Sequence, residues 1–419
     1  MFRKLSAPSV NRQTRTGFLK TSPYREIILF AIPIVILLTV MVTGFVYEGS
    51  QQFSELAQAF LHGHLNFLRP IGGVGQDPVL YHGRIYWGEG PFPALLLMPC
   101  VGLFNLFHIF FYQGYLKWIL ILGIFYFIFK LARKLSYTIE DSLILILGFA
   151  LGSVFIGVMS ISSSWFFAQV LTTFLLFWGL YEFFTHKRWW LIGIICGLVL
   201  ITRATAAPIF IFFGLEFWQS IGKNPRKLAK IAQLCLPVAG AVILLGVYNF
   251  IRFHNPLNGG YTYQLLSTAS AESRSYGVFS LTHLPANLYS AFLRAPIEVL
   301  RNTSSWTLKF PFIKNNPYGM SIFLTSPYLL YLFTRKWSSF DSRAQHLIIA
   351  ILVSCLLVFS FYGVGFDQFG YRYSLDFLPE LFLLFMIMYR LNHRRLSRGI
   401  KLLLLGSGIV NFYLLLTFI

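Results

Sequence analysis

The chain is short of charge, and of negative charge above all. Only 12% of its 419 residues are charged, with 15 acids against 34 Lys and Arg. A soluble domain carries about 25% charged residues, so the composition excludes a soluble globular protein for almost all of the chain. Cysteine is also scarce. Cys100, Cys196, Cys235 and Cys355 lie in apolar stretches without metal-ligand spacing and read as small lipid- or core-facing residues. A small-residue cleavage site is missing after the first apolar run. That run is too long for a signal peptide, so it is expected to stay as an anchor.

What the chain has is apolar surface: 56% hydrophobic residues, including 45 Phe. A bilayer core about 30 Å thick needs about 20 apolar residues per spanning helix, and Ile27–Val46 meets this without a charge. In lipid, backbone groups must pair within a helix or a closed barrel. Long unbroken apolar runs lack the alternation of a barrel, so helices remain. The expectation is an all-α, polytopic membrane bundle forming one domain over 1–419. Eleven spans are predicted, near 26–46, 112–131, 141–160, 165–183, 188–202, 205–220, 230–250, 318–334, 344–364, 374–390 and 400–418.

A formal net charge of +19 on a soluble protein would suggest nucleic acid. Here the basic residues cluster between apolar runs, where they set topology, and no nucleic-acid partner is expected. Arg3, Lys4, Arg12, Arg15, Lys20 and Arg25 place the N-terminus in the cytoplasm. The clusters at Lys130–Lys134, Lys187/Arg188, Lys223–Lys230, Arg335–Arg343 and Arg390–Lys401 then also fall inside. Pro91–Tyr112 is charge-free and long enough to span, but a span there would flip every later cluster. Pro91, Pro93 and Pro99 also break its first turns, so it reads as an interfacial or re-entrant helix on the outer face. Two outer segments are long, 47–112 and 252–317, and loops of that length are usually functional or hold their own short helices.

The acids on that outer side are Glu48, Glu55, Asp77, Glu89, Glu272, Glu298, Asp367 and Asp376. A hydroxyl acceptor needs a carboxylate base as it attacks. An anionic phosphate leaving group needs Arg or Lys. Ser50–Phe60 has helical apolar spacing at Phe53, Leu56, Ala57 and Phe60, which makes an amphipathic surface helix with Glu55 on its solvated face. Glu48, at the outlet of the first span, reads either as an interfacial charge ending the helix or as a functional acid. In Asp77–Pro93, Asp77-Pro78 and His82-Gly83 are turn signals. Tyr81, Tyr86 and Trp87 suit an aromatic belt or stacking on a sugar ring. His62, His64 and His82 share this loop with the acids, and a divalent metal ion is an option that their unspecific spacing leaves open.

Arg203, between two spans in Leu-Ile-Thr-Arg-Ala-Thr, is a snorkelling arginine or a phosphate ligand. Arg372, Asp376 and Glu380 follow an i, i+4 spacing at the start of a late span. They form either an ion-pair ladder or a device in which Asp376 orients Arg372 toward a substrate phosphate. Asn302-Thr303-Ser304 is formally a glycosylation sequon.

Five segments, in order, carry a resemblance: Phe53–Leu65, Asp77–Pro93, Leu200–Thr205, Tyr248–Tyr261 and Phe369–Pro379. Together they make the chain resemble a membrane glycosyltransferase of the GT-C superfamily, nearest in pattern to the bacterial protein mannosyltransferase and aminoarabinose transferase group. The resemblance implies a sugar donor on polyprenyl phosphate, used away from the cytosol, and an inverting transfer with a first-loop carboxylate as base. It implies an acceptor that is a lipid, glycan or protein, in the cell envelope of a bacterial inner (plasma) membrane. The family usually carries an Asp just before the amphipathic helix. Here that place reads Gly49-Ser50-Gln51, which leaves Glu48 or Asp77 as base. Arg203 and Arg372 are the expected phosphate ligands, with Tyr86, Trp87, Glu89 and Arg252 as further substrate-binding candidates. The two long loops would form the acceptor cleft. A polymerase or ligase of lipid-linked polysaccharide uses similar loops and arginines. A transporter would show paired broken helices and midplane charges, a pairing the sequence lacks.

Overall fold

The computed structural model describes residues 23–71, 76–222, 227–302, 306–334 and 340–419. Arg3, Lys4, Arg12, Arg15 and Lys20, the basic residues Lys223, Arg226, Arg335 and Lys336, and Thr303 and Ser304 of the sequon lie outside the described residues.

The first half of the chain forms α1 (Pro23–Val46), α2 (Gln52–Leu61), strands β1 (Pro78–Tyr81) and β2 (Arg84–Trp87), α3 (Phe92–Asn105), α4 (Gln113–Lys134), α5 (Ile139–Ala150), α6 (Phe155–Ser160), α7 (Ser164–Thr185), α8 (Trp189–Leu200) and α9 (Ile209–Ile221). The second half forms α10 (Lys227–Phe253), α11 (Thr268–Ser275), α12 (Leu284–Phe292), β3 (Ile297–Leu300), β4 (Leu308–Lys314), α13 (Ile322–Thr325), α14 (Ser342–Ser360), α15 (Leu378–Asn392) and α16 (Arg398–Leu415). Among the described residues six helical stretches are long and apolar enough to cross a membrane: α4, α7, α9 with the 3-10 turn before it, α10, α14 and α16. The protein is a polytopic membrane helical bundle. Shorter apolar helices are Phe30–Val46 within α1, α3 and α8.

The most enclosed of these six spans is α7, 83% buried over its apolar stretch. It packs against α4 and α8, and its Phe177 meets the buried Phe149 edge-on at 5.0 Å. Two expected spans take another form. The 141–160 stretch is interrupted between α5 and α6, where Gly152 lies so close to α16 that a Cβ would come within 2.6 Å of the Leu404 carbonyl oxygen. The 318–334 stretch is α13 followed by a 3-10 segment, Pro327–Thr334. Proline disfavours helical geometry in the residue before it, and Ser326 sits at φ −137°, ψ 61°.

The α3 helix occupies the stretch expected to be interfacial, and α2 packs against it. The first-loop strands form a hairpin through His82-Gly83, both at positive φ (47° and 73°), as a type I′ turn requires.

The inter-helix loops gather at two ends. At one end Arg390 donates to the Leu135 and Ser136 carbonyls, Lys401 pairs with Glu140 and Asp141, Arg188 pairs with Glu182, and Arg343 pairs with Glu216. This is the end of the basic linkers. The two long loops, the α8–α9 turn and the α14–α15 connection meet at the other end.

Candidate active site

The first-loop hairpin is pinned on two sides. Arg252, buried near the end of α10, donates from Nη1 to the Trp87 carbonyl at 2.7 Å and from Nη2 to Asn249 Oδ1 at 2.8 Å. Its guanidinium lies 3.8 Å from the Tyr248 ring centroid. Tyr86 packs on Phe253 and Trp87 on Phe53 and Trp165, with Tyr86 7% and Trp87 1% exposed. These aromatic rings face protein. On the other side the second loop lies along β1: Leu265 N donates to the Pro78 carbonyl at 2.8 Å, and Val79 bridges to Gln264. Two expected site segments, 47–112 and 252–317, therefore share one wall.

This packing delivers two acids. Asp77 sits just before β1 in the left-handed region, at φ 56°, a conformation Asp tolerates better than most residues. Glu89 follows β2, and Gly90 after it presses on the α8–α9 turn. A Cβ at Gly90 would stand 2.0 Å from the Ile201 carbonyl oxygen, so only glycine lets Glu89 approach Arg203. Burial pushes both carboxyls above their ordinary values. The charges of Arg372 and Arg274 and a hydrogen bond from the Trp165 side chain oppose this at Asp77, and Arg203 opposes it at Glu89.

Three arginines face them. Arg203 donates from Nε to Asp376 Oδ1 at 2.7 Å and from Nη2 to Oδ2 at 2.9 Å, and the Thr205 hydroxyl donates to Oδ2 as well. Arg372 begins a 3-10 turn, Arg372–Asp376. Its Nη1 donates to Gln169 Oε1 at 3.4 Å, while Gln169 Nε2 donates to the Arg372 carbonyl at 3.2 Å. Arg372 is buried, and its Nε has no hydrogen-bond partner. Burial lowers its affinity for a proton, though guanidinium stays charged in proteins. Tyr373 separates the two, its centroid 5.9 Å from the Arg203 guanidinium carbon and 4.9 Å from that of Arg372. Arg274, at the end of α11, donates to the Tyr362 hydroxyl at 2.7 Å, to the Tyr261 carbonyl and to Gln264 Oε1.

The i, i+4 ladder, one of the two arrangements open to Arg372, Asp376 and Glu380, does not form. With three residues per turn, a 3-10 segment does not stack i on i+4 as an α-helix does. Asp376 orients Arg203 instead of Arg372. Glu380 is buried in α15, with Oε2 unpartnered.

Glu48 lies elsewhere. It is exposed at the outlet of α1 and hydrogen-bonds the Tyr112 side chain in a shallow cleft with Gly44 and Ser162. The charges acting on Asp77, Glu89 and Arg372 come from one another and from Arg203, Arg274 and Asp376. Glu55 pairs with Arg69. Among the described residues no three His, Cys, Asp or Glu gather to hold a metal ion, so His62, His64 and His82 do not meet acids in that way.

Beside the cluster an apolar groove of about 430 Å³ runs between α2–α3 and α10. Phe60, Leu65, Leu95, Met98, Leu244 and Val247 line it together with Pro91, two residues from Glu89.

No protein-family model matches the chain, and no curated protein matches it. Two solved structures of the oligosaccharyltransferase of Archaeoglobus fulgidus do. The apo form is 13% identical with a TM-score of 0.44, over 94% of this chain and 56% of that one. The form in complex with an inhibitory peptide and a dolichol-phosphate is 14% identical, with the same TM-score and coverage. The chain thus spans little more than half the length of that protein.

Proposed function

We propose that the chain is a GT-C-type glycosyltransferase. It moves a sugar from a polyprenyl-phosphate donor to a hydroxyl of a lipid, glycan or protein acceptor on the face of the membrane away from the cytosol, with inversion. The observation that carries this reading is the convergence of Asp77 and Arg372, nearly three hundred residues apart, in one cluster. The acceptor oxygen attacks the anomeric carbon as the bond from that carbon to the phosphate oxygen breaks. Asp77 takes the acceptor proton, and its raised proton affinity suits a general base. The phosphate leaves as an anion toward Arg372, whose unpartnered Nε and buried charge favour an incoming anion. Arg203, neutralised and held by Asp376, fixes one wall of the site, and Glu89 beside it is placed for sugar or acceptor hydroxyls. The apolar groove at Pro91 suits the isoprenoid chain of the donor.

The test is transfer from a polyprenyl-phosphate sugar in proteoliposomes. Loss of a general base typically costs about 10²–10⁴ in rate, so Asp77→Asn should fall by that order while Glu48→Gln stays near wild type. Full activity in Asp77→Asn would remove Asp77 as base.

A further inference from the structure

The β3–β4 hairpin of the second long loop turns apolar side chains outward. Trp306 is 95% exposed and Phe310 76% exposed, and Phe310 and Phe312 stand side by side with ring centroids 6.1 Å apart. Leu308 on the same strand is also exposed. A water-facing loop has no use for such a surface, and a two-stranded hairpin is marginal in water by itself.

The hairpin is not held out in water. The Tyr413 hydroxyl, in the last turn of the spanning helix α16, donates to the Pro311 carbonyl. Asn315 N donates to Thr417 Oγ1 at 2.8 Å, just past the end of the same helix. Two bonds therefore fix β4 at the depth where α16 leaves the hydrocarbon. Backbone edges left open by two strands cannot enter that hydrocarbon unpaired, so the hairpin can reach only the headgroup region. Arg301, Lys309 and Lys314 lie exposed on the same hairpin, against the single acid Glu298. Aromatic residues favour that layer, and exposed basic residues near it attract anionic headgroups.

We infer that the β3–β4 hairpin is a membrane-interface anchor. Trp306, Phe310 and Phe312 insert among lipid headgroups, and Arg301, Lys309 and Lys314 bind anionic phospholipid there. The inference is independent of the catalytic assignment, since it uses none of its residues.

The test is spin-label accessibility in full-length protein whose four native cysteines are replaced by Ala, reconstituted in nanodiscs of phosphatidylcholine with or without phosphatidylglycerol. Labels go on Trp306→Cys and Phe310→Cys, with Glu272→Cys on the exposed helix α11 as the aqueous reference. Both hairpin sites are so exposed that substitution opens no cavity in the core, and the only ring contact it removes is that of Phe310 with Phe312. The anchor predicts a severalfold higher ratio of oxygen to nickel-chelate access at 306 and 310 than at 272. It also predicts that the labels sit deeper with phosphatidylglycerol and lose that gain in Lys309→Gln/Lys314→Gln. Ratios equal to the reference at both sites would show a hairpin facing water. Dipolar broadening between labels on two copies would show a second chain covering it. Either result overturns the inference, as does a depth indifferent to phosphatidylglycerol.

Discussion

Arg203 and Asp376 form a two-point ion pair across the gap between the α8–α9 turn and the turn that leads into α15, with contacts of 2.7 and 2.9 Å. Their side chains are 10% and 1% exposed. Removing one partner of such a pair leaves an uncompensated buried charge and costs about 3–5 kcal/mol. Asp376→Asn keeps the shape and loses the charge, so detergent-solubilised protein should melt well below wild type. Arg203→Lys should also destabilise, because an ammonium cannot reproduce the planar fork. Thermal melts of both variants, against an exposed control such as Glu272→Gln, read this directly. Unchanged melting in Asp376→Asn would mean that the pair is not what ties the two turns together.

Arg372 should behave differently from Arg203. Its main-chain carbonyl is held by Gln169, but its Nε points to no acceptor. Replacing it should therefore do less to stability and more to donor affinity. A hydrogen bond to a charged group contributes about 1.5–3 kcal/mol, which is roughly ten- to hundredfold in binding. Arg372→Gln should raise the KM for a polyprenyl-phosphate sugar by that factor, with a melting point closer to wild type than that of Asp376→Asn. A variant that binds the donor normally would move the phosphate site away from Arg372.

The pH profile follows from the two first-loop acids. Burial raises both Asp77 and Glu89, so each ionises above the ordinary carboxylate range. A base must be deprotonated, so kcat/KM should fall on the acid side at a pH higher than a free aspartate would give. The stability effect has the opposite sense. Where the folded state binds more protons than the unfolded chain, stability is greatest below the unfolded value and declines as pH rises through the folded one. Asp77→Asn should flatten that decline, and melting temperature against pH for wild type and variant checks it. A steeper decline in the variant would contradict burial as the cause.

Much of this cluster was legible because charge is so scarce in the chain. Asp77, Glu89, Arg203 and Arg372 each interrupt an apolar or aromatic context, and the basic linkers fixed all four on one side. Arg274 gave no such signal, since an arginine in a short polar helix of a long loop looks like solvated surface. Trp165, at the start of a span, looks like any belt aromatic. The partner of Asp376 was hidden by assuming an α-helix through Arg372. Pro379 carried the opposite signal, because proline favours the first turn of a helix, and α15 begins at Leu378. Likewise His82-Gly83 marked a turn, but only the pairing of Val79 with Tyr86 makes it a hairpin that aims Trp87 into protein and leaves Asp77 and Glu89 at the strand ends. Contacts made by distant segments decide these cases, and local spacing does not report them.

Lys117 offers a last test, inside the bundle. It is fully enclosed in α4, yet its Nζ donates to the carbonyls of Met159 at 2.8 Å and Ile161 at 2.9 Å. These oxygens belong to the C-terminal end of α6, where carbonyls lack helical partners. The neighbouring residue, Ser162, donates to the Gly44 carbonyl, and its own carbonyl accepts from Gln113 Nε2. Lys117 thus fixes the α6–α7 connection, and with it Trp165, which hydrogen-bonds Asp77. Lys117→Met fills the volume but leaves the carbonyls unmet. A buried acceptor left without its partner costs about 1–3 kcal/mol, so the variant should melt lower than wild type. If the connection also positions Trp165, its acid limb should shift upward toward that of Trp165→Phe. A Lys117→Met protein with normal melting would show that water or a neighbouring donor replaces the lysine amine.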